Sequence, residues 1–167
     1  MSEITPSDTP AESVPTETEE AVAFPPPLVL GALLLVGGLL TWWLPLRLIP
    51  TAIGVILGPL LILGGIFFML AGIQTMEKAE TGVRHADPST ALVEDGPFRY
   101  SRNPIYLGMA LLMAGIGMAA NSPWIVLLSG AFIWLLQWGV IGAEEEHMAK
   151  RFGPSYQGYK KRVRRWL

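Results

Sequence analysis

"AIGVILGPLLILGGIFFMLAGI", residues Ala52–Ile73, is an unbroken apolar stretch of the chain. A helix of about 20 apolar residues crosses the hydrocarbon core of a bilayer, so this stretch predicts a membrane span. Gly54 and Gly58 lie four positions apart inside it, a spacing that favours close contact with another helix. The whole chain of 167 residues has the length of one domain, and its 51% hydrophobic and 16% charged content is typical of a membrane protein.

Three further apolar blocks accompany this one, and all four predict helices. Prolines at positions 45 and 50, and the pair Ser122-Pro123, predict tight turns between successive blocks. We therefore expect an all-α integral membrane protein with about four transmembrane helices in two hairpins. The first and third blocks are short for a span and require upright helices or a locally thinner bilayer. The blocks are Leu28–Leu44 (with a possible extension to Ile49), Ala52–Ile73, Pro104–Ala120 and Pro123–Ala143.

The charges predict the ends of the domain and its orientation. Residues 1–26 are acidic, lack Lys and Arg, and predict a disordered tail that is retained; residues 27–167 form the predicted membrane domain. Of the twelve Lys and Arg, only Arg47 lies between the first two spans. The others lie between spans two and three or after span four, which predicts cytoplasmic N- and C-termini. We expect the plasma (inner) membrane of a prokaryote.

The C-terminal segment has a helical stripe of large side chains among basic residues. This pattern predicts an amphipathic interfacial helix, with a kink near Gly153-Pro154. An anchor on the membrane surface is one interpretation, and a lid over a site is the other. The stripe consists of Phe152, Tyr156, Tyr159, Val163 and Trp166.

Polar groups concentrate where the third span begins. Asn103 and Pro104 are suited to the N-cap and the first position of its helix. The helix N-terminus with Arg99 and Arg102 would attract a carboxylate or phosphate. Simple capping and an interfacial belt of Tyr and Arg are the alternative interpretation.

A second polar group, Glu144 to Glu146, follows the fourth span. Acids at a helix C-terminus interact unfavourably with the helix macrodipole. The presence of these glutamates therefore needs an explanation other than local stability. Glu146 can pair with Lys150 one turn later, but this leaves Glu144 unexplained. Gln137 shares a helix face with Glu144, which places an amide below the acids.

The chain resembles the integral-membrane methyltransferases of the isoprenylcysteine carboxyl methyltransferase and phospholipid methyltransferase type. "PSTALVEDGPFRYSRNPIYLG" (Pro88–Gly108) is similar to the "LV..G.YRY.RHP.Y.G" segment of that family. "EEEHMAKRFGPSYQGYKKRVRRW" (Glu144–Trp166) is similar to its "EE..L...FG..Y..Y...V.RW" segment. The two motifs occur in the expected order and cover residues 88–167.

The resemblance implies S-adenosylmethionine, bound at the cytoplasmic mouth of the bundle, and a lipidic or small-molecule methyl acceptor. It implies a bilayer as partner and no nucleic acid, and it assigns neither a catalytic residue nor a metal. With only two histidines and no cysteine, a multi-histidine or thiolate metal site is not expected. The implied cofactor contacts are Thr90, Ala91, Leu92, Val93, Phe98, Arg102, Asn103, Pro104, Ile105, Tyr106, Glu144 and Glu145.

Two departures from the family pattern are visible. Asn103 replaces the histidine of the RHP motif, and Trp138–Ala143 lacks the arginine that the isoprenylcysteine enzymes carry before the glutamates. Two other functions stay open: an NADPH-dependent reductase of the steroid-reductase type, for which Arg84, Arg99 and Arg102 would serve a phosphate, and a non-enzymatic membrane scaffold.

Overall fold

The computed structural model describes residues 25–81 and 91–167, and these residues form five α-helices and one short 3₁₀ turn. The predicted all-helical class is confirmed. Three helical segments of the described residues are long and apolar enough to cross a membrane: Pro26–Trp43, Thr51–Lys78 and Pro123–Arg162. The elements are α1 (Pro26–Trp43), α2 (Thr51–Lys78), the 3₁₀ turn (Gly96–Arg99), α3 (Pro104–Ala119), α4 (Pro123–Gly139) and α5 (Ile141–Arg162).

Most predicted boundaries agree with the structure, with three informative differences. The predicted fourth block, Pro123–Ala143, is interrupted at Val140, so α4 ends at Gly139. Helix α1 ends at Trp43, so the extension toward Ile49 does not form. Helix α2 continues past its apolar part to Lys78, which carries it beyond the predicted membrane span. The predicted tail lies outside the described residues except at its end, where Pro26 already begins α1.

Helix α3 is the inner helix of the bundle. It packs against α2 on one side and α4 on the other, while α1 packs mainly against α4. The predicted hairpin of the first two spans is therefore wrong, because α1 and α2 are joined by a short link but do not pack along each other, whereas α3 and α4 do. Helix α3 contributes many of the buried residues, so its short apolar length is compatible with shielding by its neighbours.

The contact between α2 and α3 is made through glycines. All the buried residues of α2 are glycines, at positions 54, 58, 65 and 72. A Cβ placed on Gly65 would lie 2.6 Å from the backbone oxygen of Gly108, and one on Gly54 would lie 2.7 Å from that of Met118. The two backbones therefore touch. The predicted close contact at Gly54 and Gly58 is confirmed, and it extends along most of the helix.

Hydrogen bonds join the two interhelical links at one end of the bundle. The side chain of Asn121 accepts from the backbone N–H of Ile49 at 3.1 Å and donates to its oxygen at 2.8 Å. The indole N–H of Trp124 donates to the oxygen of Leu44 at 2.9 Å. Helix α2 ends and α3 begins at the opposite end of the bundle. We call that opposite end the basic end.

Helix α5 is separated from α4 by a break at Val140, where φ is −128° and ψ is −59°. It carries acidic and basic side chains from Glu144 to its end, unlike the apolar α4. Gly153, with φ 49°, kinks it next to Pro154 as predicted. Tyr156 and Tyr159 of the predicted stripe are buried against the protein. Their burial favours the interpretation of this segment as a lid rather than as a membrane anchor.

Replacing Gly65 by Ala tests the glycine contact. The added methyl group must push α2 and α3 apart, and we expect a loss of about 1–3 kcal/mol in stability, as for other overpacked sites. Gly64→Ala is the matched control, because a Cβ there meets nothing within 4 Å. Thermal unfolding of the detergent-purified variants measures both. Equal midpoints for the two variants would contradict the role assigned to this contact.

Candidate functional site at the basic end

Three parts of the chain meet at the basic end. These are residues 101–106 at the start of α3, the first turn of α5, and Val163–Leu167, which we call the C-terminal strap. The strap follows α5 in extended form and crosses the start of α3. Its Trp166 packs on the buried core and donates its indole N–H to Gln137 of α4 at 3.0 Å.

The backbone of the strap is bound by the residues that precede α3. The N–H of Arg102 donates to the oxygen of Arg164 at 3.0 Å. The hydroxyl of Ser101 and the amide of Asn103 both donate to the oxygen of Arg165, at 3.2 and 3.1 Å. Ser101 is fully buried. These bonds fix the strap by its main chain.

Asn103 occupies the N-cap position of α3 as predicted, but its side chain makes no capping hydrogen bond. The amide that would have capped the helix is directed to Arg165 instead. The first backbone bond of the helix runs from Leu107 N–H to Asn103 oxygen at 2.9 Å. The dipole and the early N–H groups of α3 are therefore not neutralised by the predicted cap.

Glu145 is the centre of a charge cluster. Its carboxylate accepts two hydrogen bonds from Arg165, at 2.8 and 2.6 Å, and lies 3.1 Å from Arg102 and 3.5 Å from Lys160. It is only 9% exposed. Three cations surround one carboxylate, so the cluster has an excess of positive charge that a bound anion would neutralise.

The surroundings of Glu145 also affect its ionisation. Burial alone would raise its pKa, but the hydrogen bonds from Arg165 and the charges of Arg102 and Lys160 outweigh this and lower the pKa. A lowered pKa means that ionised Glu145 stabilises the fold above the ordinary carboxyl pKa. This stabilisation is lost as the pH falls through the lowered value.

Arg102 is only partly used by these contacts. One nitrogen, Nη2, faces Glu145, whereas Nε and Nη1 are buried and have no hydrogen-bond partner among the described residues. Buried guanidinium donors are costly to leave unpaired. Nε and Nη1, which we call the free edge of Arg102, are therefore a donor pair without a hydrogen bond at the start of α3, with the hydroxyl of Tyr156 beside the guanidinium. An anion would satisfy these donors.

Glu144 lies next to this cluster and has a different partner. The hydroxyl of Tyr106 donates to its carboxylate at 2.7 Å. Burial and the neighbouring charge of Glu145 raise the pKa of Glu144 to about 7, although the bond from Tyr106 opposes the shift. The prediction that Glu144 follows the fourth span at the C-terminal end of its helix is wrong. Because the chain breaks at Val140, Glu144 lies in the first turn of α5, where the helix dipole favours an acid.

The structure brings most of the predicted site residues together, but not all of them. Pro104 and Ile105 begin α3, yet their side chains face Gly72 of α2. Phe98 is buried, and its oxygen accepts from the hydroxyl of Tyr159 at 2.8 Å. Ala91, Leu92 and Val93 are half-buried, and Thr90 lies outside the described residues. Arg102, Asn103, Tyr106, Glu144 and Glu145 cluster around the C-terminal strap.

Sequence reasoning missed the role of the strap residues. Arg165 and Lys160 belong to the motif "YKKRVRRW", which was interpreted as an amphipathic helix that is either an anchor or a lid, and neither residue was named as a site residue. Ser101 gave no signal of its own. The signal that was available is the motif itself, since "YKKRVRRW" is part of the segment that resembles the family.

A comparison with protein families shows to which family the chain belongs. The family model described as phospholipid methyltransferase matches residues 53–155, which include α3, α4, most of α2 and the first turns of α5. The chain belongs to the phospholipid methyltransferase family. The predicted family is thereby confirmed, and the site lies inside or next to the matched region.

A relative points to the same class of protein. Over 72 residues the chain is 33% identical to the Protein-S-isoprenylcysteine O-methyltransferase of Schizosaccharomyces pombe. The alignment covers 43% of this chain and 30% of that protein, so the two share only part of their length. No solved structure matches the chain significantly.

Changing Tyr106 to Phe tests the link between Tyr106 and Glu144. Without the hydroxyl that stabilises the carboxylate, we expect the pKa of Glu144 to rise above its value of about 7. The infrared band of the protonated carboxyl, assigned by its loss in Glu144→Gln, measures the midpoint. Tyr100→Phe is the control because Tyr100 is 69% exposed. An unchanged midpoint in Tyr106→Phe would contradict this link.

Proposed function

We propose that this member of the phospholipid methyltransferase family is an S-adenosylmethionine-dependent membrane methyltransferase with its cofactor at the basic end. The observation that carries the proposal is the free, buried edge of Arg102 beside the start of α3. It is a site for an anion such as the carboxylate of the methionine moiety. The family match and the relative support the same chemistry.

The residues around Arg102 suit the remaining groups of such a cofactor. Ionised Glu144 can accept hydrogen bonds from ribose hydroxyls or from the amino group, and Tyr106 holds its carboxylate in place. The rings of Phe98 and Tyr106 offer flat surfaces for the adenine. The half-buried segment Ala91–Val93 completes the proposed contacts, with Thr90 next to it in the chain.

The cofactor supplies a methyl group attached to a positively charged sulfur. The protein mainly has to hold donor and acceptor in line, which by itself can contribute several kcal/mol to the rate. The apolar core directly below the site, including Met113, Val140 and Ile141, excludes water. An environment of low polarity favours reaction of a cation with an anionic acceptor, because charge disappears in the transition state.

The exposed apolar side chains of α1 and α2 suit contact with a bilayer. By the positive-inside rule, the basic residues around the C-terminal strap support a cytoplasmic basic end. The proposed membrane is the plasma (inner) membrane of a prokaryote. The acceptor is then a lipid that arrives from the bilayer or a small molecule from the cytoplasm. Trp138–Ala143 contains no arginine, so a prenylcysteine carboxylate lacks the partner that the isoprenylcysteine enzymes offer.

Calorimetric binding of S-adenosylmethionine to the detergent-purified protein tests the proposal. We expect binding to wild type, and a loss of roughly tenfold or more in Arg102→Gln, since charge-assisted hydrogen bonds contribute about 1.5–3 kcal/mol. Arg99→Gln is the matched control: Arg99 is 69% exposed and pairs with Asp95 at the surface. Glu144→Gln should also weaken binding.

Two further ligands make the test specific. 5′-Methylthioadenosine has the nucleoside but lacks the methionine carboxylate, so its affinity should be the same in wild type and Arg102→Gln. Equal losses for both ligands would mean that the variant disturbs the whole site. NADPH is the competing ligand: binding of NADPH without binding of S-adenosylmethionine would favour a reductase, and binding of neither would favour a scaffold.

A further inference from the structure

The carboxylate of Glu145 is already occupied by the protein itself. Both oxygens accept from Arg165, and Arg102 and Lys160 lie on the remaining sides. A carboxylate surrounded in this way has little capacity left for a ligand. The neighbouring Glu146, by contrast, is exposed and pairs only with Lys150, one helical turn away, among the ion pairs of the described residues.

Glu145 links two parts of the site that are far apart in sequence. Through Arg102 it reaches the start of α3, and through Arg165 it reaches the C-terminal strap. The contact to Nη2 leaves Nε and Nη1 of Arg102 as the free edge. The orientation of this edge therefore depends on Glu145, since a guanidinium is planar and rigid.

The strap is held by three kinds of contact: hydrogen bonds to its backbone, a hydrogen bond from Trp166, and the ion pair of Arg165 with Glu145. The backbone oxygens of Arg164 and Arg165 accept from residues 101–103, and Trp166 donates to Gln137 inside the bundle. Together these contacts hold the strap over the side chains of Arg102 and Tyr106. Because the free edge of Arg102 is buried, a ligand can reach it only after the strap or a neighbouring segment moves.

We propose that Glu145 is a positioning residue, which orients the free edge of Arg102 and at the same time locks the C-terminal strap over the site. The proposal rests on the proposed function, because it makes Glu145 act on the cofactor through Arg102 and the strap. It gives Glu145 a role different from the direct cofactor contact that the family resemblance implies. Binding of the cofactor and closure of the strap are then coupled through one carboxylate.

Limited trypsin digestion, followed by intact mass, measures the closure without any activity assay. Cleavage after Arg164 or Arg165 requires their carbonyl groups to leave residues 101–103, so its rate reports the open state of the strap. In Glu145→Gln we expect cleavage at these bonds roughly tenfold faster or more, because two arginines lose their buried partner. Glu146→Gln should be cleaved like wild type.

The coupling is measured on the same proteins. Saturating S-adenosylmethionine should slow cleavage of the strap in wild type and in Glu146→Gln, and much less in Glu145→Gln. The affinity for S-adenosylmethionine should fall roughly tenfold or more in Glu145→Gln. Glu145→Asp, which keeps the charge, should recover part of both effects. Thermal unfolding of each variant verifies that the helix bundle remains folded.

The outcomes separate this proposal from the proposed function. If wild type binds no S-adenosylmethionine, the proposed function fails, while faster cleavage in Glu145→Gln would still support the lock on the strap. If Glu145→Gln matches Glu146→Gln in both cleavage and affinity, the positioning role is overturned. Faster cleavage with unchanged affinity would also overturn it, because Arg102 would then be oriented without Glu145.

Discussion

The backbone contact between α2 and α3 is the constraint on which the remaining structure depends. In a bilayer the hydrophobic effect does not press one apolar helix against another, so close packing and good geometry must hold the pair together. The glycines at positions 54, 58, 65 and 72 provide this by letting the main chains meet. Helix α3 is fixed along its length as a result, and so is the position of its first residues at the basic end.

Rigid placement matters at the basic end because the chemistry there is electrostatic. The first turn of α3, the first turn of α5 and the C-terminal strap each contribute charged or polar groups to a small, largely buried volume. Interactions between such groups weaken little through screening and depend strongly on distance. A site of this kind works only if helices α3, α4 and α5 keep their spacing, and the apolar core between them supplies that spacing.

The sequence allowed the helices to be predicted well, and it singled out several of the polar residues that meet at the basic end. Apolar length and turn residues are local properties, and they placed α1, α3 and the start of α4 within a few residues. The break at Val140 was not predicted, because the residues around it are apolar and continue the helical pattern. That single residue decides whether Glu144 opposes or complements a helix dipole.

The contact partners of the site residues were harder to predict from the sequence than the positions of these residues. The resemblance placed Arg102 and Glu145 in one site, but nothing local to either indicates that Arg165 lies between them in space. Asn103 was expected to cap its helix, and it binds the strap because the oxygen of Arg165 is within reach. Contacts across many residues of chain depend on the packing, which a local pattern does not contain.

The contacts of the strap also fix the number of residues in this segment. Tyr159 is bound to the oxygen of Phe98, and Trp166 is bound to Gln137, so both ends of the segment between them are held at fixed points. Arg164 and Arg165 in between are held by their backbone oxygens, which every residue type possesses. Exchange of the side chain at Arg164 is therefore tolerable, whereas insertion or deletion of a single residue would move Arg165 out of reach of Glu145. Related chains should differ in this segment by substitution and keep its length.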